Sequence, residues 1–229
     1  MTESSIRLNK YIALHKGVSR RVADGLIAKN IVAINGTPAP LGAHVSNGDV
    51  VTIKGVPVKT QTALRYIALH KPAGYVCSRR AQGDTPTIYA LLPKDMHALK
   101  PVGRLDKDSS GVLLLTNDGD FAHRMTHPTF HKQKTYIVEL DHDLAPLHQQ
   151  MISDYGVQLE DGSSKLLLER RSDENRTEWT VLMHEGRNRQ IRRTFAALGY
   201  TVTALHRTQF GNYSLGDIPT GKYTSVDIS

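Results

Sequence analysis

Residues 101–119 constrain the fold most, because they join a polar loop directly to an apolar run. The loop contains Arg104, Asp106 and Asp108, and the run is Val-Leu-Leu-Leu at 112–115. Small residues at 109–111 precede the run, and Asn-Asp-Gly at 117–119 follows it as a turn signal. A short apolar run between turn signals predicts a buried strand. Charged side chains at the start of such a strand predict a functional loop held by a rigid element.

The composition is that of an ordinary globular protein. With 229 residues, 39% of them hydrophobic, the chain can form one large domain or two smaller ones. It contains no apolar run of membrane-spanning length and no apolar segment near residue 1 that would act as a secretory signal. Its single cysteine, Cys77, excludes an internal disulfide. We therefore expect a cytoplasmic protein without a membrane partner, and we expect a monomer.

Positive charge is concentrated in the first quarter of the chain, and the formal net charge is +7. Residues 1–60 hold eight Lys/Arg and three Asp/Glu, whereas the other 169 residues hold 21 and 19. A basic module of this kind favours a polyanionic partner, because each phosphate contact releases counterions. A solvated basic face without a ligand is the alternative.

Residues 6–53 are predicted to form two short helices and a small sheet. The apolar stripes at helical spacing are Leu8, Tyr11, Ile12 and Leu14 in the first helix and Val22, Ala23, Leu26 and Ile27 in the second. Gly17 is expected to end the first helix, and Ser19 is expected to cap the second. Strands are predicted at 31–34 and 50–53, and Asn-Gly at 35–36 indicates a hairpin turn.

Four short motifs mark this N-terminal region: RLNKYI at 7–12, SRR at 19–21, ING at 34–36 and GDVV at 48–51. Together they resemble the S4 RNA-binding domain. The resemblance implies a compact RNA-binding domain at 1–60. Its phosphate contacts would be Arg7, Lys10, Arg20 and Arg21.

A second, larger domain is predicted at 66–229. Residues 55–65 have weak periodicity and are interpreted as a linker, with the boundary between the two domains at 61–65. Strands are then predicted at 66–69, 112–115, 134–140, 157–159, 166–168, 179–183 and 202–207. Helical spacing is found at 121–125 and at 191–198, where Gly199 is a stop signal. Many strands with few helices predict an α+β domain rather than a doubly wound one.

Four familiar kinds of site fail on this sequence. Residues 106–111 begin like a calcium loop, but Asn117 stands where that loop needs a bidentate Glu. The segment GDIPTGK at 216–222 lacks the following Ser/Thr of a phosphate-binding loop. His123 and His127 have zinc-ligand spacing, but no Glu lies between them and Pro128 ends the helix. No Gly-x-Ser-x-Gly elbow supports a Ser-His-Asp hydrolase. We expect neither a metal nor a cofactor.

The remaining candidate is a carboxylate among arginines. Arg104 and Asp106 alternate in an extended segment, so both can face one side with Leu105 buried between them. A second basic cluster places four arginines within residues 187–193. A carboxylate beside arginines stays ionised and is available as a nucleophile or a charge stabiliser. An ordinary structural ion pair has the same spacing, so the residues alone leave both interpretations open.

Five motifs follow one another along the second domain: HKPAGY at 70–75, GRLDKDSSGVLLLT at 103–116, KTY at 134–136, EGRNRQIRR at 185–193 and LHR at 205–207. They resemble the motifs of RNA pseudouridine synthases, and an S4 domain ahead of them is similar to the RsuA family of bacterial ribosomal RNA synthases. The implied fold is α+β, with a small S4-like domain followed by a mixed, mostly antiparallel sheet. The implied reaction isomerises uridine to pseudouridine through an aspartate, without a cofactor.

The resemblance also implies residue roles at matching positions. Asp106 corresponds to the catalytic aspartate, and Arg104 would assist flipping of the target uridine. Tyr136 would stack on the uracil, a task that an aromatic face suits because every base offers a π-surface. Arg192 would pair with Asp106 and orient it.

Further positions near the pocket, by the same resemblance, are Lys134, Gln190 and Leu205. Arg189 stands where related families of synthases often have His before the Gln. The residues do not choose whether Asp106 attacks C1′ or C6 of the uridine, or helps to remove a ribose proton.

The implied partner is ribosomal RNA or a ribosome assembly intermediate. GVQLEDG at 156–162 and NRQIRR at 188–193 resemble large-subunit members of the family, whereas KPAGYVCS at 71–78 resembles the small-subunit member. The balance favours 23S over 16S ribosomal RNA. The alternative function is a non-catalytic S4-type RNA-binding protein acting in ribosome assembly, for which Asp106 would be dispensable. A glycoside hydrolase using Asp106 and Asp108 is disfavoured, because these two carboxyls are too close in the chain to flank a sugar.

Overall fold

The structure is a computed structural model that describes residues 5–58, 63–80 and 82–228. The chain divides into two compact units, residues 1–65 and residues 66–229. The helices and strands of the first unit are β1 (Ile6–Arg7), α1 (Leu8–Lys16), α2 (Arg20–Ala28), β2 (Val32–Ile34), β3 (Thr37–Pro38), β4 (His44–Val45), β5 (Val51–Ile53) and β6 (Val56–Pro57).

The two helices of the first unit form where the sequence predicts them. Helix α1 ends at Gly17, whose φ of 65° is left-handed, and the Ser19 hydroxyl caps α2 by accepting from the Val22 amide at 3.1 Å. Ala23 and Ile27 are buried, but Val22 is 51% exposed. The stripe predicted for α2 is therefore too wide, because Val22 lies about 100° around the helix from Ala23.

The small sheet of the first unit has the order β3-β2-β5-β6. Asn35 and Gly36, with φ angles of 51° and 84°, make the predicted hairpin turn between β2 and β3. The interpretation of residues 55–65 as a linker is wrong in its first part, because β6 pairs with β5 and Val58 is only 4% exposed. Residues 59–62, which include the first two residues of the predicted boundary at 61–65, lie outside the described residues.

The second unit is built on one nine-stranded sheet. The helices and strands of this unit are β7 (Tyr66–Lys71), β8 (Lys100–Pro101), β9 (Ser110–Thr116), α3 (Gly119–Thr126), β10 (Lys134–Leu140), α4 (Pro146–Gln150), β11 (Val157–Leu159), β12 (Gly162–Ser164), β13 (Leu167–Arg170), β14 (Glu178–Met183), α5 (Gln190–Ala196), β15 (Val202–Phe210), β16 (Tyr213–Ser214) and β17 (Tyr223–Ser225). The main path through the sheet is β13-β14-β10-β15-β9-β7-β17. Among the described strands of this sheet only β9 and β15 run parallel. The prediction of a mixed, mostly antiparallel sheet is confirmed.

Strand β9 lies inside this sheet and is buried on both faces. Leu113 and Leu115 pack into one core cluster, whereas Val112 and Leu114 pack into a second. Side chains of α5 contribute to the first cluster and side chains of α3 to the second. The predicted buried strand at 112–115 is confirmed, and the run shows no alternation in sequence because both of its faces are covered.

One close approach fixes where β9 begins. Gly111 pairs with Arg207 of β15 and has a φ of 109°. A Cβ at this position would lie 2.1 Å from the Arg207 carbonyl oxygen, so only glycine fits. The polar loop that precedes β9 is thereby held against β15.

The helices of the second unit were only partly foreseeable from the sequence. The predicted helix at 191–198 is confirmed as α5, and Gly199 follows it with a φ of 90°. The sequence does not predict α4 or the π-helical turn Met151–Tyr155 that continues it. Of residues 146–155 only Ile152 is buried, so no apolar stripe marks this segment. Within the described ranges, every helix is too short or too polar to cross a membrane.

Candidate active site

A cleft of about 480 Å³ opens on the second unit beside the loop that enters β9. Its walls come from this loop, from β10 and β15, and from the segment at 183–191 that leads into α5. A cleft of this volume is in the range of small-ligand sites. Most of the residues predicted for the site in this unit line the cleft, namely Arg104, Asp106, Lys134, Tyr136, Gln190 and Leu205.

The loop at 102–109 presents Arg104 and Asp106 to the cleft and buries Leu105 between them. Leu105 is 6% exposed, whereas the Asp106 side chain is 32% exposed. The Cys77 thiol donates to the Leu105 carbonyl at 3.3 Å and accepts from the Leu105 amide at 3.5 Å. The predicted burial of Leu105 is confirmed, and it anchors the loop between the two charged side chains.

A buried lysine holds the backbone of the same loop. Lys71, at the end of β7, is 0% exposed. Its ammonium donates to the carbonyls of Pro72 (3.0 Å), Asp106 (3.0 Å), Lys107 (3.3 Å) and Ser109 (2.6 Å). Burial lowers the pKa of Lys71 to about 8. Charge-assisted bonds to several carbonyls favour one loop conformation, so the Asp106 carboxylate projects from a fixed backbone.

Arg189 is the arginine that contacts the Asp106 carboxylate. Its Nη1 lies 3.8 Å from Asp106 Oδ2 and 3.9 Å from Asp108 Oδ2. Arg189 immediately precedes α5 and has a left-handed φ of 47°, which a non-glycine residue keeps only where its surroundings hold it. The side chains of the two aspartates are 32% and 62% exposed, so this is an open ion pair at the mouth of the cleft.

The structure differs from the prediction that Arg192 pairs with Asp106. The Arg192 guanidinium donates to the Val202 carbonyl at 2.6 Å and to the Asp108 carbonyl at 3.0 Å. It therefore ties α5 to β15 and to the backbone of the loop. Arg189 forms the ion pair with Asp106 instead. Arg189 lies at the start of α5, whereas Arg192 lies almost one turn further along the helix.

The other two arginines of the cluster hold the wall of the cleft together. Arg187 and Arg193 both bind Asp161, at 3.0 Å and 2.7 Å, and so fasten the β11–β12 hairpin to the segment around α5. Gln190 is 2% exposed and donates to the Ser164 hydroxyl of the same hairpin at 3.1 Å. The predicted pocket residue Gln190 thus lies within the wall of the cleft.

Tyr136 and Leu205 give the cleft an apolar inner surface. They lie on the neighbouring strands β10 and β15, and each is 7% exposed. Lys134, also on β10, donates to the backbone carbonyls of His184 and Glu185 at 3.3 Å and 3.1 Å. Burial lowers the pKa of Lys134, and the charge of a nearby arginine adds to that effect. An aromatic ring beside an aliphatic side chain can accept a planar base.

Arg207 lies next to Tyr136 at the inner end of the cleft and is 2% exposed. Its Nε donates to the Val112 carbonyl at 2.9 Å. Its guanidinium carbon lies 4.9 Å from the centre of the Phe210 ring and 6.0 Å from that of the Tyr136 ring. Its Nη2 is buried without a hydrogen-bond partner among the described residues.

Lys71 and Arg207 have no predicted role, although both lie within motifs of the second unit. Each is a fully or almost fully buried cation on a strand that also carries apolar core residues. Such residues are rarely buried without a partner. A basic residue within a core strand is therefore the signal that could have marked both positions.

The residues predicted to contact phosphate lie at the N-terminal ends of α1 and α2 in the first unit. Arg7, Arg20 and Arg21 are exposed, and Lys10 is half-buried. Arg20 Nε donates to the side chain of Asn9 at 3.3 Å. The helix dipole gives the N-terminal end of each helix a partial positive charge, which adds to the positive potential of these side chains.

Comparisons with known proteins show what this chain is similar to. A family model described as RNA pseudouridylate synthase matches residues 65–197. The chain is 36% identical to the ribosomal small subunit pseudouridine synthase A of Pasteurella multocida over 227 residues, 96% of each chain. It is 35% identical to the ribosomal large subunit pseudouridine synthase B of Bacillus subtilis, over 94% of this chain and 89% of that one. A crystal structure of a pseudouridylate synthase superposes with a TM-score of 0.68 at 32% identity, covering 97% of this chain and 96% of the other.

Proposed function

This chain belongs to the RNA pseudouridylate synthase family, and we propose that it isomerises a uridine of ribosomal RNA to pseudouridine with Asp106 as the reacting carboxylate. One observation carries the assignment of Asp106. Its carboxylate lines a cleft that contains Tyr136, and it projects from a loop whose backbone Lys71 holds in place. An enzyme that must bring one oxygen to one atom of a nucleotide needs that degree of fixation.

The proposed reaction breaks the N1–C1′ bond of the uridine and forms a C5–C1′ bond in the same nucleotide. A uridine stacked in RNA is out of reach, and its extrusion costs a few kcal/mol. Tyr136 and Leu205 offer the extruded base an aromatic and an aliphatic surface. Arg104, exposed at the mouth of the cleft, assists the extrusion by contacting the RNA backbone.

The arginines near Asp106 have separate roles in this proposal. Arg189 faces the Asp106 carboxylate and orients it through their ion pair. Arg192 positions the loop through the Asp108 carbonyl and leaves the carboxylate free to react. Lys134 and Gln190 keep the wall at 184–190 in place through their bonds to its backbone and to the β11–β12 hairpin.

We also propose that residues 1–60, in the first unit, form an S4-like RNA-binding domain. Its support is the set of basic side chains at the starts of α1 and α2, Arg7, Lys10, Arg20 and Arg21. The small- and large-subunit relatives are 36% and 35% identical to this chain, so we propose ribosomal RNA as a class and not 23S in particular. Such a substrate places the protein in the cytoplasm.

The proposal predicts that Asp106→Asn abolishes pseudouridine formation while RNA binding persists. We expect the single-turnover rate on ribosomal RNA to fall by at least about 10³-fold, because the amide cannot act as a nucleophile or base. The rate is measured by mapping pseudouridine in RNA incubated with the purified full-length chain. Asp108→Asn is the matched control, since Asp108 is two residues away, contacts the same Arg189 and is 62% exposed.

Full activity of Asp106→Asn would contradict the assignment of the carboxylate. RNA binding by a wild-type protein that modifies no uridine would favour the other candidate, a non-catalytic RNA-binding protein acting in ribosome assembly.

A further inference from the structure

We infer that Arg207, a buried guanidinium at the inner end of the cleft, stabilises the negative charge that the uracil ring acquires as it separates from the ribose. The inference rests on the proposed function and adds to it a charge-stabilising residue.

Arg207 is a buried cation without a carboxylate. It is 2% exposed, and none of the ion pairs among the described residues includes it. One backbone carbonyl, that of Val112, accepts from its Nε, and its Nη2 has no partner among the described residues. The faces of Phe210 and Tyr136 compensate the charge only in part. A buried charge in this state is costly unless a ligand completes its surroundings.

A second cation adds to the positive potential at the same place. Lys134 Nζ lies 5.4 Å from the centre of the Phe210 ring, and the Arg207 guanidinium carbon lies 4.9 Å from it. The charge of Arg207 helps to lower the pKa of Lys134, after burial. The carboxylate of Glu185, the nearest acid acting on Lys134, is bound by Arg187 and Gln190. Both cations therefore act on whatever lies against Tyr136.

The chemistry of the proposed reaction supplies a matching negative charge. When N1–C1′ breaks, the electron pair of the bond stays on N1, and C1′ gains a bond to an Asp106 oxygen or forms a double bond with C2′ after loss of the C2′ proton. If Asp106 adds to C6 first, the ring takes up the negative charge as an enolate. In each route C5 then bonds to C1′, while the Asp106 oxygen leaves C1′ or C6, or, after loss of the C2′ proton, a proton returns to C2′. The C5 proton leaves and N1 ends protonated, so atoms balance. Cations fixed beforehand in a water-poor site stabilise such a charge effectively.

The test compares two substrates that differ in how well the ring carries negative charge. RNAs with uridine or 5-fluorouridine at the target position are incubated with excess enzyme and then digested to nucleosides. Loss of the N1–C1′ bond is followed as disappearance of the N-linked nucleoside in chromatography coupled to mass spectrometry, because chromatography separates the isomers of equal mass. The fluorine withdraws electrons and stabilises the ring anion without help from the protein. We expect Arg207→Gln to slow the uridine reaction by about 100-fold and the fluorouridine reaction by about tenfold. Arg207→Lys, which keeps the charge, should slow the uridine reaction less than Arg207→Gln does.

Arg176→Gln is the matched control. Arg176 Nε donates to the Leu144 carbonyl at 2.7 Å and its guanidinium carbon lies 5.6 Å from the Trp179 ring centre, but it does not line the cleft. It should leave the ratio of the two rates unchanged.

If Arg207→Gln slows the reactions of both substrates by the same factor, the inference is overturned. Arg207 would then contribute only to packing. If thermal unfolding shows that Arg207→Gln does not fold, Arg207→Met, which removes the charge and leaves no buried polar group, takes its place, and equal slowing by that variant overturns the inference in the same way. A wild-type chain that cleaves neither substrate overturns the proposed function, and the inference with it. If the wild-type chain is active, the proposed function holds, and the variants then test the role of Arg207 by itself.

Discussion

At the scale of single residues, the cleft depends on cations whose partners are backbone carbonyls and aromatic rings. Lys71 donates to four carbonyls, Arg192 to two and Arg207 to one. These bonds link β7, β15 and α5 to the loop and to β9. The ion pair between Arg189 and Asp106 is open to solvent, and such pairs contribute little to stability. The conformation of the loop therefore depends on the buried cations.

Lys71 predicts a pH dependence of stability. Folding lowers its pKa from 10.5 to about 8, so between these values the unfolded chain holds a proton that the folded chain has lost. Stability therefore rises with pH in this window, by up to about 3 kcal/mol relative to Lys71→Met. Urea unfolding followed by fluorescence of Trp179, the single tryptophan and a core residue of the second unit, measures it.

Lys107→Met is the control for this measurement, because Lys107 lies exposed on the same loop. This variant keeps Lys71, so its stability should rise with pH between 8 and 10.5 as that of the wild type does. A constant difference between wild type and Lys71→Met across the window would mean that folded Lys71 keeps its proton.

At the scale of elements, the cleft lies where the parallel pair β9 and β15 brings distant parts of the chain together. His206 pairs with Ser110 and Arg207 pairs with Gly111. The loop carrying Asp106 therefore enters β9 at the point where β9 pairs with β15, the strand that carries Leu205. Arg189, immediately before α5, and Arg192, within α5, approach the same loop from outside the sheet pairing. The four arginines of one motif thus divide into two that face the loop and two that hold a hairpin.

Gly111 tests how strictly that pairing is required. In Gly111→Ala the new Cβ would lie 2.1 Å from the Arg207 carbonyl oxygen, so the two strands must separate. We expect a loss of at least about 3 kcal/mol of stability together with most of the activity.

Gly74→Ala is the control, because Gly74 also has a positive φ, of 90°, but has open space around it. It should lose only about 1 kcal/mol, the effect of backbone strain alone. Equal losses in the two variants would show that the close approach of β9 and β15 is unimportant. Chemical unfolding gives both values.

At the scale of the whole molecule, the chain separates a basic unit from a unit that carries the cleft. Residues 1–60 hold eight of the 29 Lys/Arg and only three of the 22 Asp/Glu. A sequence-independent contact to phosphate and a selective contact to one base are different tasks. Two units allow each task its own surface.

The basic unit predicts a salt-dependent share of RNA affinity. Replacing Arg20 and Arg21 together by Gln should weaken RNA binding and reduce the slope of log K against log salt by roughly 1 to 2, because two phosphate contacts are lost. Filter binding at several salt concentrations measures this. Arg170→Gln with Arg171→Gln removes the same net charge, but these arginines already pair with Asp173 and Glu178. An equal change of slope in both double variants would count against a specific role of the first unit.

The sequence by itself determined the local features of this protein. The cap at Ser19, the hairpin at Asn35 and Gly36, the strand at 134–140 and the buried run at 112–115 all follow from neighbouring residues. The burial of Leu105 between Arg104 and Asp106 does too, because alternation along an extended segment is a local property.

Only the tertiary structure decided which side chains meet. Arg189 faces Asp106 and Arg192 does not, because the direction of a side chain at the start of α5 depends on how that helix packs. Lys71 and Arg207 can support the loop and the start of β9 only because β7 and β15 are the neighbours of β9 in the sheet. Val58 lies in the segment predicted as a linker, but it is buried in the core of the first unit. Contacts between residues far apart in the chain depend on the pairing of whole strands, and the sequence near each residue does not specify that pairing.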